Sequence, residues 1–189
     1  MKRYHYKLPQ KCVDCSKAAE CDFVKHFNDK PYDISGVILG CNAFFSVFTE
    51  LEARHRSSIE DLGIENDEEN TPFLVPAMIT NGALAAELAL KALILRENGF
   101  YDCVHRLDDL YNTLPDTDKE RLSMLLKERL CQDDTTLMIN LERIGNCFEQ
   151  WRYFHEYVGM GYSNFLTGFI HIVCEYVNDE YGKDPLRST

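Results

Sequence analysis

Apolar residues recur at spacings of three and four along most of this chain, and that period predicts a succession of helices. A first helix is expected from about Ser35 to Arg56, with Ser35 as its cap. A second long one covers about Val75 to Asn98, with a stripe of Leu84, Leu88, Lys91/Ala92 and Leu95, and Gly99 closes it. Glu87 and Lys91 lie four apart on it, the spacing of a favourable ion pair. A short helix follows over His105–Leu114, pinned by Leu107, Leu110 and Leu114, with His105 placed to cap its start and Pro115 ending it. Thr117 and Glu120 form a capping-box pattern for a helix reaching about Leu130. Helices over about Thr136–Val158 and Tyr162–Tyr181 complete the series, parted by a break at Gly159-x-Gly161. No stretch alternates with period two over a strand's length. The expectation is an all-α, antiparallel helical bundle.

Two stretches fall outside the periodic pattern. Residues 1–34 read as an irregular arm, which leaves 35–189 as the helical domain. The stretch Ile59 to Pro72 holds six acidic residues without an apolar period and reads as a solvated loop. A hydrophobic content of 45% in 189 residues suits one substantial core. The segment ALAAELALKALIL, interrupted by Glu87 and Lys91, reads as a core helix and not as a bilayer span. Its N-terminal MKRYHYKLPQK lacks a secretory apolar region, so the expectation is a cytoplasmic protein with no membrane partner.

Net charge is −11, which argues against a broad DNA- or RNA-coating surface, because phosphate binding needs clustered Lys and Arg. The charge is uneven: residues 1–30 carry a surplus of +3 and the remainder −14. A local positive site is compatible with that distribution; a broad one is not.

Two clusters could carry chemistry. In the arm, KCVDCSKAAECDFVKH places Cys12, Cys15, Cys21 and His26 within one short segment. A Cys-x2-Cys hook with two further donors is what a tetrahedral zinc needs, and four protein ligands would make it a structural site with no open position. The other five cysteines, Cys41, Cys103, Cys131, Cys147 and Cys174, read as small core residues. The second cluster is EQWRYFHEY, Glu149 to Tyr157, on the helix that begins near Thr136. Arg152 and His155, three apart, lean over one face; a guanidinium can hold a phosphate while an imidazole moves protons. Glu156 could orient them, or simply pair with Arg152 along the helix. Trp151, Tyr153, Phe154 and Tyr157 suit core or dimer contacts.

The order of three patterns resembles the HEPN superfamily of small α-helical domains. They are AAELALKALIL (Ala85 to Leu95), HRLDDLYNTL (His105 to Leu114) and FEQWRYFHEY (Phe148 to Tyr157). The resemblance covers roughly residues 36–181. It implies a homodimer whose paired Arg/His helices face one another across a metal-independent RNA-cleaving cleft. Arg152 would then bind the scissile phosphate and His155 would shuttle protons for attack by the ribose 2′-hydroxyl. Only Tyr153 and Phe154 separate the two here, fewer than the four to six residues of catalytic members, and Tyr153 replaces a small polar residue. The leading expectation is therefore a homodimeric binding or regulatory module, in a setting of bacterial stress, toxin–antitoxin pairing or phage defence. An endoribonuclease using Arg152 and His155 on RNA is the alternative. A purely structural protein that binds other proteins is the third reading. No cofactor is expected for the core domain.

Overall fold

The computed structural model describes residues 33–62, 74–101, 104–152 and 164–181; the side chains at 58–62, 149 and 152 fall outside that description. Every regular element among the described residues is an α-helix. In chain order these are α1 (Ile34–Leu62), α2 (Leu74–Asn98), α3 (Leu107–Asn112), α4 (Asp116–Leu130), α5 (Asp134–Ile144), α6 (Cys147–Arg152) and α7 (Asn164–Tyr181).

Helix α2 is the centre of the molecule. Fourteen of its residues are buried, and they run round the helix instead of forming one stripe. Leu84 and Leu88, expected at the heart of its apolar face, are only half-buried, whereas Ala83, Ala85, Ala86, Ala89 and Ala92 are fully enclosed. The physical reason is crowding: α1, α6, α7 and α3 all pack on α2, and small side chains let them approach from several sides. Gly82 marks the tightest meeting. A Cβ there would lie 2.6 Å from Phe48 Cδ2 on α1 and 2.7 Å from Ile170 Cδ1 on α7. Both α1 and α2 are long and apolar enough to span a bilayer, but 78% of the α2 window is buried in the protein, against 11% for α1. On α1 the outward side carries the exposed residues Leu39, Ala43 and Val47.

Polar links tie the ends together. Asp118 at the start of α4 is buried, and both its oxygens accept from Arg96 Nη2 of α2 (2.8 and 2.7 Å). Tyr176 on α7 donates its hydroxyl to Asp118 Oδ1 at 2.7 Å, so one satisfied carboxylate joins three helices. Tyr181 donates to the Ala92 carbonyl at 3.0 Å, and burial pushes its phenol up to about 12.

Several boundaries differ from the sequence expectation. α1 continues six residues beyond Arg56, into the acidic stretch; the remainder of that stretch lies outside the described residues. Gly99 closes α2 as expected, at φ +71° with its N–H on the Leu95 carbonyl (2.8 Å). α4 does not use the Thr117/Glu120 box: it starts at Asp116 behind Pro115, which offers no side-chain cap but has a backbone preset for entering a helix. Cys131, expected in the core, is exposed and ends α4 in the left-handed region at φ 51°. Cys41, Cys147 and Cys174 are buried as expected. The helix expected over Thr136–Val158 is broken at Gly145 into α5 and α6. Cys103 and the Gly159-x-Gly161 break lie outside the described residues.

Candidate functional site

Three polar side chains from two separate segments converge at one place, two of them inside the core. Glu87 and Lys91 project from neighbouring turns of α2, and both are almost wholly buried. Lys91 Nζ donates to Glu87 Oε1 at 2.7 Å, the pairing their spacing predicted, though in the core and not on a surface. His105 Nδ1 meets the same oxygen at 2.9 Å. The Lys91 ammonium also lies 5.2 Å from the centre of the Tyr101 ring, which adds a cation–π contact. Glu87 Oε2 is buried and has no hydrogen-bond partner among the described residues.

The chain delivers His105 here by a specific corner. Gly145 lies where α5 turns towards α6, and its carbonyl accepts from Leu107 N at 2.9 Å. A Cβ on Gly145 would strike the Asp108 carboxylate and come within 2.8 Å of Arg106 Nη2. Arg106 is itself held by Asp108, Nη2 to Oδ2 at 2.6 Å and Nε to Oδ1 at 3.1 Å. Arg106, not His105, occupies the N-cap position of α3, and it makes no side-chain capping bond. The expectation that His105 caps this helix is thus corrected: its ring turns inward to Glu87, because a buried carboxylate is the stronger attractor.

Chemically, the cluster is an oriented imidazole. When Nδ1 carries the proton, the ring donates to Glu87 and leaves Nε2 as the free nitrogen, on a side chain 55% exposed. Such a nitrogen can accept a hydrogen bond or a proton from a partner. Glu87 Oε1, held also by Lys91 Nζ, fixes the orientation of the ring. Cys147, the first residue of α6, lies near the same carboxylate. Burial, with a smaller push from the Glu87 charge, raises its thiol to about 12, so it stays protonated and inert at neutral pH.

The expected Arg/His pair lies next door in sequence. α6 packs against α2 and ends at Arg152, whose side chain is outside the described residues. Tyr153, Phe154, His155, Glu156 and Tyr157 lie outside them entirely, as do Cys12, Cys15, Cys21 and His26 of the arm. Trp151 is half-buried and packed on the core, beside a cavity of about 190 Å³ shared with Asn140, Arg143, Cys147, Gln150 and Phe165. Among the described residues no group of three or more His, Cys, Asp or Glu could hold a metal ion. Another imidazole, His171 on α7, has Nε2 2.9 Å from Glu52 Oε2 and its ring edge-on to Phe45 and Phe48, which makes it a link between α1 and α7.

Sequence reasoning missed Gly145 and the capture of His105 by Glu87. The signal for the second was present: a lysine and a glutamate at helical spacing inside a run too apolar for them to face water. No family model, no curated protein and no solved structure matches this chain.

Proposed function

We propose that this chain is a HEPN-like helical module acting as a homodimer in binding or regulation, in bacterial stress or phage defence. One observation carries the reading. Two of the three segments on which the resemblance rests meet in space, AAELALKALIL through Glu87 and Lys91, HRLDDLYNTL through His105. The third segment begins on α6, which packs against the same central helix. Two of the three patterns thus meet at one place, and the described start of the third, Phe148 to Arg152, lies on a helix packed on the same α2.

The test combines assembly with activity. Purified full-length protein, with Arg152→Ala and His155→Ala variants, is weighed by light scattering and incubated in EDTA with labelled structured and single-stranded RNAs. A dimer that binds RNA or a co-purifying protein without cutting RNA is the expected result. Cleavage lost in both variants would replace this reading with the metal-independent endoribonuclease. A monomer without either activity would overturn both.

A further inference from the structure

Helices α1 and α2 are equally apolar over nearly the same length, yet they sit very differently in the molecule. Of the α2 window 78% is buried, against 11% for α1, and Cys41 and Phe48 are the only described side chains of α1 that are buried. From Ile34 to Thr49 the helix carries no charged residue, in a chain of which 27% is charged. A helix packed on one side ordinarily turns charge to water on the other. α1 instead turns out Gly36, Leu39, Ala43 and Val47 along one stripe, with Leu39 71% and Val47 44% exposed. Charge begins only where the stripe ends, at the exposed Glu50 and Arg54, which pair at 2.7 Å.

We propose that this face of α1 docks antiparallel on the same face of a second copy of the chain. The inference rests on the homodimer proposed above and names the surface that makes it. The charges at the two ends of the stripe select the occupant. Crossing two copies antiparallel about Ala43 sets Leu39 against the partner's Val47, and Val47 against the partner's Leu39. The same register brings the exposed Asp33 beside the partner's Arg54, once at each end of the pair. Asp33 Oδ1 accepts from Ser35 N at 3.0 Å, and its other oxygen can take the partner's guanidinium. Glu50 then lies over the partner's Gly36, in the first turn of a helix that holds no acidic residue there and whose dipole favours one. A parallel pairing would set Asp33 on the partner's Asp33 and Glu50 on the partner's Glu50, like charge on like.

A bilayer is the rival cover, and it fits less well. The charge-free run spans about 24 Å as a helix, short of the ~30 Å hydrocarbon core. Gly36, Ala43 and Ser46 are small and exposed, so two α1 backbones can approach closely, which a helix pair uses and lipid does not.

The experiment weighs full-length protein by light scattering across a concentration series, beside Ala43→Glu. A dimer is expected, and Ala43→Glu should raise its dissociation constant at least about 100-fold while helicity and melting hold. In Ala43→Cys the two introduced thiols meet at the two-fold axis, so mild oxidation should give a peptide linking position 43 to position 43. Met124→Cys, 60% exposed on α4, should give no such link between copies. Arg54→Glu should weaken the dimer about tenfold, and Asp33→Lys added to it should recover most of that loss. If Ala43→Glu does not fold, the link in Ala43→Cys still decides. A dimer that Ala43→Glu leaves intact, or the absence of that link, would overturn this face while the homodimer reading stands. A monomer at every concentration would overturn both. A monomer that floats with phosphatidylcholine vesicles, and no longer does so as Ala43→Glu, would give the face to a bilayer and overturn the proposal.

Discussion

Glu87 and Lys91 set the largest single-residue expectation, because each neutralises the other in the core. Glu87→Gln leaves the Lys91 ammonium buried without its countercharge, and such a loss costs about 3–5 kcal/mol. Replacing both at once, as Glu87→Leu with Lys91→Met, removes the desolvation cost along with the pair and should lose far less stability. Urea unfolding of the two proteins checks the contrast; equal losses would mean that the ion pair is not what holds the cluster. Tyr181 gives a pH dependence with a definite sign. Its folded value is raised to about 12, above the ordinary 10, so burial of the neutral phenol contributes stability in full below pH 10. That contribution falls as pH rises from about 10 towards 12. Tyr181→Phe should flatten this part of the alkaline melting curve while losing its bond to the Ala92 carbonyl, and a denaturation series across that window measures it.

At the scale of elements, two glycines set how closely helices meet. Gly82 lets α1 and α7 approach α2 together, and Gly82→Ala drives a methyl into Phe48 and Ile170, both fully buried. Overpacking of this kind costs about 1–3 kcal/mol, and a guanidinium titration should show it. Gly145 works at the α5–α6 corner. Gly145→Ala should push Asp108 and Arg106 off their mutual contact and loosen His105 from Glu87. The expected readout is a changed His105 imidazole signal in NMR together with a loss of about 1–3 kcal/mol. Helix caps matter less. Asp133 accepts from Thr136 N at 2.7 Å, and that backbone bond holds its carboxyl below the usual range. Its help to α5 is therefore present above pH 4 and fades as acid protonates it.

For the whole molecule, the main consequence is a division of labour around α2. The satisfied carboxylate of Asp118 anchors α2, α4 and α7 at one place, while the Glu87–Lys91–His105 cluster presents a polar feature at another. The net charge of −11 argues against a broad positive surface. If the module binds RNA, the contact should therefore be local. Its affinity should fall with salt by a slope that reports only a few phosphates, measurable by titrating RNA binding between low and physiological ionic strength.

What the sequence by itself determined is the part governed by local periodicity and termination chemistry: an all-α chain, the Glu87–Lys91 pair four residues apart, the stop at Gly99 and the break before α4 at Pro115. These depend on neighbours within a turn or two, so spacing and residue type suffice. Only the tertiary structure decided which face of α2 is inside, since packing by four helices encloses most of its circumference and leaves the expected Leu84–Leu88 line only half-buried. It also decided that His105 turns to Glu87 instead of capping α3, and that the long helix after Asp133 breaks at Gly145. Both outcomes rest on groups far away in the chain: the buried Glu87 carboxylate in one case, the Arg106–Asp108 pair against a bare backbone in the other.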